Sequence, residues 1–597
     1  MFVWPKEDLN DEQVAAITEP GSVLVVACPG SGKTRALTYK ICLELSRLSS
    51  EKAWVVAITY TNRAADEIHE RIERLGVDTS QLWIGTIHSF CLEWILRPYA
   101  LYHVDLRKGF RVIDAHASET LLSEFCKGTP DKVAVYECGY YFTPDGVRLG
   151  SAKPARRQAV AAVLDRYWAQ LRQNRQLDYE RILQCAFELI SDVPSISILL
   201  GSLFSYVLVD EFQDTKEIQY AILGAILKAA NGTAKAFLVG DPNQAIFGSL
   251  GGYAISPTAF SNMSGLALTP RGLVINYRSS KRIVDYFGNY NVHPANVVAE
   301  GKDKAYASLI SFDRATGLNQ LDTELVRLIR YNIETVGISQ NEVCVVAPQW
   351  FHLASMTRRL VVALPEYRFD GPGIAPFARD IDNFWYKLSR IFLTEPGPQL
   401  YVRRLRWAGE VIAALGNAGV ATNEISRNRL LRECNSILCA DADGLAYLAN
   451  VFAELFKRLG IDFAAFPILA EHYAAFFESS RLRIGRLVNE AGAAFAEIDA
   501  FKSVFAARTG ITVSTIHGVK GAEFDTVIAY ALLEGMVPNF GEANRPEAAK
   551  RLLYVTCSRA RKNLHLVSET GRNHRGGPYL ATEMLAACQF AYDSVPD

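Results

Sequence analysis

Val26-Ala27-Cys28-Pro29-Gly30-Ser31-Gly32-Lys33-Thr34 follows the apolar run Val23-Leu24-Val25-Val26 and leads into Arg35–Ile41, a stretch able to form helix. A buried strand, a glycine-bearing turn and a helix start together make a phosphate cradle. Glycines let backbone N–H groups turn inward around an anion, and the helix N-terminus adds its positive end. Lys33 is placed to reach the β- and γ-phosphates and the Thr34 hydroxyl to ligate Mg²⁺. The candidate nucleotide binders are therefore Pro29, Gly30, Ser31, Gly32, Lys33, Thr34 and Arg35. Ala27 stands where the generic pattern has glycine. The bland alternative is a strand–turn–helix with no ligand. The strand before and the helix after favour a bound nucleoside triphosphate, with hydrolysis as its chemistry.

At 597 residues the chain has room for roughly four domains. A hydrophobic fraction of 49% excludes a disordered protein, and a formal charge of −1 makes any nucleic-acid surface local. The eleven cysteines are scattered, without C-x-x-C or an adjacent Cys/His cluster, so the sequence indicates neither zinc nor an iron–sulfur site. Reduced, buried thiols are expected. No signal-peptide pattern or bilayer-length apolar run is visible, and a cytoplasmic protein without membrane association is expected.

Tyr206-Val207-Leu208-Val209 ends in Asp210-Glu211-Phe212-Gln213-Asp214. Two acids closing a buried strand are costly unless they serve an ion or a reaction. Asp210 can hold Mg²⁺ and Glu211 can orient and deprotonate an attacking water. A solvated turn would explain the acids but not their coincidence with a phosphate loop. A third apolar run, Ala236–Val239, ends in Gly240-Asp241-Pro242-Asn243-Gln244, where Gln244 is placed to sense the γ-phosphate or the water. Ligands of open parallel sheets bind at such carboxyl ends.

Together these segments resemble superfamily 1 DNA helicases of the UvrD/Rep/PcrA type. The resemblance runs along nearly the whole chain in the family's order. Leu9–Gln13 is similar to the adenine-reading motif, with Gln13 as reader, and the family's own phosphate loop also begins with alanine. Ala57–Ala65 and Ile84–Phe90 resemble two strand-contacting motifs; Val209–Thr215 is similar to D-E-x-Q-D and Val239–Gly252 to G-D-x-x-Q-S-I-Y. Ile275–Ser280 resembles N-Y-R-S-S, which implies Tyr277 on adenine and Arg278 on the γ-phosphate. Val513–Phe524 is similar to T-x-H-x-x-K-G-L-E-F, with Glu523 the candidate ribose ligand. Arg551–Ala560 resembles R-R-L-x-Y-V-x-x-T-R-A, with Arg559 as arginine finger.

The implied fold is α/β: two RecA-like P-loop motor domains with parallel sheets, each carrying a mainly helical insertion. The expected division is 1–95 and 201–275 for the first motor, 96–200 for its insertion, 276–389 and 506–597 for the second motor, and 390–505 for the second insertion. The helical-looking stretch Ala155–Leu189 lies in the first insertion and the helical period Tyr447–Phe452 in the second. Lys33, Asp210, Glu211, Gln244, Arg278 and Arg559 are the expected catalytic set, with ATP and Mg²⁺ as cofactors and cations from both motors neutralising the transferred group. Tyr60, Thr61, Asn62, His88, Phe247, Thr515 and His517 are the expected nucleic-acid contacts, since single strands are held by stacking and by polar contacts to phosphates.

Two departures bear on function. After Ile246-Phe247 the family usually carries an aromatic and an arginine; here the run is Gly248-Ser249-Leu250-Gly251-Gly252. Ala548-Ala549-Lys550 replaces the residues usual before Arg551. The second insertion is short, and no glycine-punctuated hairpin of the kind that grips duplex is readable in it. The leading expectation is a 3′-to-5′ helicase or translocase acting on single-stranded DNA and single-strand/duplex junctions. The alternative is a DNA-stimulated ATPase that senses ends or single strands and regulates a partner nuclease, as in compact UvrD-like phage-defence subunits of the Gabija kind. A scaffold that has lost hydrolysis would have no use for the six catalytic candidates together.

Overall fold

The computed structural model describes residues 2–113, 115–129, 132–150, 154–371, 375–377, 380, 383–398, 400–491, 493–505, 509–574 and 576–596. The chain divides into two compact units, one of Met1–Ala307 with Pro538–Ser558 and one of Ser308–Val537 with Arg559–Asp597.

Unit 1 is built on six parallel strands: β1 (Ser22–Ala27), β2 (Trp54–Thr59), β3 (Leu82–Thr86), β4 (Phe204–Asp210), β5 (Lys235–Gly240) and β6 (Leu268–Leu273), in spatial order β6-β1-β5-β4-β2-β3. Side chains alternate across a strand. Val23, Val25, Val55, Ala57, Tyr206 and Leu208 enter one core, while Leu24, Val56, Ile58, Val207 and Val209 enter the other. Burial on both faces explains why these strands read as continuous apolar runs. The three strands carrying the phosphate loop, the acid pair and Gln244 are neighbours, β1-β5-β4.

The segment between β3 and β4 is mostly helical, with helices Arg157–Gln173, Tyr179–Asp192 and Pro194–Leu203. The stretch expected to be helical over Ala155–Leu189 is broken in two. Arg175 takes a positive φ of 54°, and Gln176–Leu177 pairs with Arg111–Val112. The segment also holds an antiparallel hairpin, Tyr140–Thr143 with Gly146–Leu149, that the sequence reading lacks.

Unit 2 repeats the parallel plan. Its strands are β7 (Ile310–Asp313), β8 (Val343–Ala347), β9 (Phe369–Asp370), β10 (Ile511–Thr515), β11 (Phe524–Ala529) and β12 (Ala560–Val567), ordered β7-β12-β11-β8-β10-β9. Between β9 and β10 runs a helical array including Tyr401–Asn417, Gly444–Leu459 and Pro467–Ala491, packed around the fully buried Trp385. Asp443 caps the second of these by accepting from the Ala446 N–H (2.8 Å), and Gly460 ends it in the left-handed conformation.

Among the described residues no single helix is long and apolar enough to cross a membrane; the pair Tyr179–Asp192 and Pro194–Leu203 is together apolar enough but bent by 99°. All eleven cysteines are unbridged, nine of them buried.

Candidate nucleotide and nucleic-acid sites

The phosphate loop connects β1 to the helix Lys33–Leu45, and its two glycines adopt φ of +68° (Gly30) and +79° (Gly32). Both are sterically required. A Cβ on Gly30 would lie 2.5 Å from the Arg278 Cβ, and one on Gly32 would lie 2.6 Å from the Gln13 amide nitrogen. Ser31 closes the turn by donating its hydroxyl to the Cys28 carbonyl (2.8 Å). Burial pushes the neighbouring Cys28 thiol up to about 12, so it is an inert lining group.

Sequence-distant candidates converge on this loop within unit 1. Gln13 donates to the Ser31 carbonyl (2.8 Å) and is held by a reciprocal cap with Asn10. The Asn276 side chain donates to the Pro29 carbonyl (2.7 Å), and the Tyr277 N–H donates to the Gly30 carbonyl (2.9 Å). The Asn10 amide reaches the Tyr277 hydroxyl (2.8 Å). Arg278 donates to the Ser558 carbonyl (3.0 Å), at the end of the helix Arg545–Cys557. Arg35 is exposed and donates to the Asp8 carbonyl, and Thr34 lies in the first turn of the Lys33–Leu45 helix.

Lys33 Nζ lies 3.3 Å from a Glu211 carboxylate oxygen. Glu211 turns at φ 51°, a left-handed position unusual for a residue with a side chain, which points strain at the end of β4. Gln213 ties the acids together: its amide nitrogen donates to Glu211 (2.5 Å), and its oxygen accepts the Asp241 N–H (2.9 Å). Burial, then the adjacent Glu211 charge, pushes the Asp210 carboxyl up to about 7, while Lys33 pulls it back. Asp241 is likewise raised by burial; its carboxylate accepts from Gln244 (2.8 Å) and from the Tyr554 hydroxyl (3.3 Å).

A cavity of about 300 Å³ opens beside the acid pair, lined by Tyr60, His88, Asp210, Lys216, Phe247 and Leu250 among others. The Tyr60 and Phe247 rings lie 5.0 Å apart at 31°, and Tyr60 is half exposed. His88 meets Tyr179 edge-on; burial, with Lys216 nearby, lowers its pKa to about 4, and its buried Nε2 has no hydrogen-bond partner among the described residues. Thr61 caps the helix Asn62–Arg74 by accepting from the Ala64 N–H.

The remaining candidates lie in unit 2. Arg559 is buried and donates to the Ala522 carbonyl (3.4 Å). Glu523 pairs with Arg561 (3.3 Å). Thr515 accepts the Gly518 N–H (2.9 Å), and His517 is partly exposed in the turn after β10.

One cluster escapes sequence reading because His103 is far in the chain from the helix that carries the other two members: His103, Cys185 and Glu188 bring their ligating atoms within 4.8 Å. The His103 Nδ1 accepts the Asp105 N–H (3.2 Å), which leaves Nε2 as the donor to Glu188 (3.1 Å). That tautomer turns a proton rather than a lone pair toward the acid, so the cluster is a hydrogen-bonded brace.

Residues 9–254 match the UvrD/REP helicase N-terminal domain, and residues 484–570 match the UvrD-like helicase C-terminal domain. The chain belongs to the UvrD/Rep helicase family. It is 27% identical to DNA helicase II of Escherichia coli (strain K12), across 95% of this chain and 85% of that protein. It is 30% identical to ATP-dependent DNA helicase PcrA of Staphylococcus epidermidis and 31% identical to that of Staphylococcus aureus, over 47% and 46% of this chain and 39% of either relative. This UvrD-family protein is accordingly an ATP-dependent DNA helicase, a hydrolase. Within the helicase, the nucleotide candidates of unit 1 gather around the phosphate loop, while Arg559 and Glu523 are carried by unit 2.

Proposed function

We propose that this helicase hydrolyses ATP with Mg²⁺ and couples hydrolysis to 3′-to-5′ movement along single-stranded DNA. The observation that carries the reading is the end of β4, where Asp210 lines the aromatic-rimmed cavity while Glu211 next to it pairs with the phosphate-loop lysine. One strand end thus serves both sites, and displacement of one acid is felt by the other.

The donor set fits a metal–nucleotide pair: two glycines leave backbone room for phosphates, and a buried carboxyl with a raised pKa favours a nearby cation. Thr34 and Asp210 would hold Mg²⁺, which supplies charge neutralisation on the phosphates. Lys33 binds the β/γ end and Glu211 takes the proton of the attacking water. Gln244, fixed by Asp241, orients that water. Gln13 and Tyr277 recognise adenine, and Glu523 the ribose. Arg278 and Arg559 stabilise charge on the transferring group. Tyr60 and Phe247 stack bases, while Thr61, Asn62, His88, Thr515 and His517 line the strand's path.

A second reading rests on the exposed Leu250 that lines the cavity, and on Ser249 before it, where the loop offers neither ring nor cation. With weaker grip, unwinding depends on a partner such as a nuclease while DNA-stimulated ATPase persists. ATPase rate with and without single-stranded DNA, alongside displacement from a 3′-tailed duplex by the isolated chain, separates the readings. Stimulation with displacement supports the first; stimulation without displacement supports the second; no stimulation removes both.

A further inference from the structure

The hairpin Tyr140–Leu149 is fastened on one side and presented on the other. Tyr140 and Phe142 pack against Trp168, with ring centroids 5.1 and 5.9 Å away, and the Tyr140 hydroxyl is bonded to Asp178. The alternation of a strand turns Tyr141 to the opposite face, and antiparallel pairing sets Arg148 directly across from it. The Tyr141 ring lies flat against Gly251, where a Cβ would stand 2.7 Å from a ring carbon, and Lys216 approaches the ring at 5.8 Å. The outgoing strand meets the same loop at the hairpin's open end, because a Cβ on Gly150 would be 3.3 Å from the Ser249 carbonyl oxygen. Both strands at the open end therefore abut Ser249 and Gly251, which flank the cavity-lining Leu250. Arg148 is exposed and has no acidic partner among the described residues.

We propose that this hairpin is a nucleic-acid contact: Tyr141 braces the rim loop from behind, and Arg148 binds a phosphodiester of the single strand entering the cavity. The inference rests on the single-strand reading given above and adds to it an element outside the motif loops. Charge complementarity selects the occupant. An exposed guanidinium on the hairpin that backs the rim loop of an aromatic-rimmed cavity suits a polyanion whose bases stack. The hairpin's anchoring makes the contact rigid, so Arg148 fixes the strand's register instead of trailing in solvent.

Salt dependence of binding tests this directly. Each phosphate neutralised on a single strand contributes about 0.7 to the slope of log affinity against log salt. Binding of labelled oligothymidine to the full chain is measured across salt for wild type, Arg148→Ala, Arg148→Lys and Gly251→Ala. Arg148→Ala is expected to lower the slope by about 0.7 and weaken binding several-fold. Arg148→Lys keeps the slope, and ATPase without DNA is unchanged in both. Gly251→Ala displaces the Tyr141 ring and weakens binding with the Arg148 contact disturbed. An unchanged slope in Arg148→Ala, with wild type binding normally, overturns the hairpin's role alone. Absence of salt-dependent binding by wild type overturns the single-strand reading and the hairpin with it.

Discussion

The Lys33 ammonium sits 3.3 Å from the Glu211 carboxylate, across 178 positions of sequence, and both side chains are largely shielded from solvent. In the mechanism proposed above, this pairing neutralises Glu211 until a nucleotide phosphate competes for Lys33. On that proposal, phosphate entering at Lys33 would trade one anion for another and free Glu211 to act as a base.

Glu211→Gln is therefore expected to keep nucleotide binding while turnover falls by about 10²–10⁴-fold. Lys33→Ala removes turnover and weakens binding together. Steady-state ATPase paired with a fluorescent-nucleotide titration checks both; equal loss of binding and turnover in Glu211→Gln would sink its role on water.

Arg559 is expected to act on the transition state. Arg559→Ala lowers turnover by about 10³-fold or more, the scale of an arginine finger, with a much smaller change in nucleotide affinity. Single-turnover hydrolysis and equilibrium binding distinguish the cases; a proportional fall in affinity refutes the assignment.

Unit 2 holds a closed polar network beneath its sheet. Asn332 accepts from the Thr526 hydroxyl (2.9 Å) and the Asn563 amide (3.0 Å), while its own amide nitrogen lies 2.9 Å from His565 Nε2, and Ser311 is bonded to the other ring nitrogen (2.8 Å). Asn332→Leu strands several buried partners at once and is expected to cost about 2–4 kcal/mol. The urea midpoint reports it; a loss under about 1 kcal/mol would show that the network relaxes.

The same network sets a pH dependence. His565 is fully buried, and burial, aided by the charge of Arg327, lowers its pKa to about 3. In the unfolded chain the ring protonates near pH 6.5. Between these values the unfolded state binds the proton and the folded state does not, so stability present above pH 6.5 is lost as pH falls. The loss is about 2 kcal/mol between pH 7.5 and 5. Urea titrations at the two pH values are expected to show a smaller drop for His565→Gln than for wild type; equal drops would place the sensitivity elsewhere.

The phosphate loop and the strand ends were legible because their chemistry is local: a glycine that must turn, or an acid that closes an apolar run, declares itself within ten residues. Arg278, Tyr277 and Asn276 were marked by family pattern, but that Asn276 and the Tyr277 N–H fasten the phosphate loop through the Pro29 and Gly30 carbonyls had no local signal. The hairpin was hidden for a different reason. Tyr140–Leu149 is a short run of alternating residues in a segment dominated by helix, and its meaning comes from Trp168 and Gly251, which the fold alone brings near. The break at Arg175 was equally silent, since a positive φ at a long polar residue is imposed by tertiary structure. The Asn332–His565 network joins residues 233 positions apart, and nothing in either neighbourhood announces it.

The helix Arg545–Cys557 belongs to unit 1, although the 230 residues before it, Ser308–Val537, belong to unit 2. Synthesis runs from the N-terminus, so a ribosome has already delivered the phosphate loop, the acid pair and Gln244 long before Tyr554 and Ser558 emerge. Until then Asp241 lacks its tyrosine partner and Arg278 lacks its carbonyl anchor. The nascent chain therefore carries an unfinished site throughout synthesis of Ser308–Val537, and the final pieces arrive only after that segment. Chain order acts here as a timer on assembly, withholding a finished motor from fragments that could not yet use one.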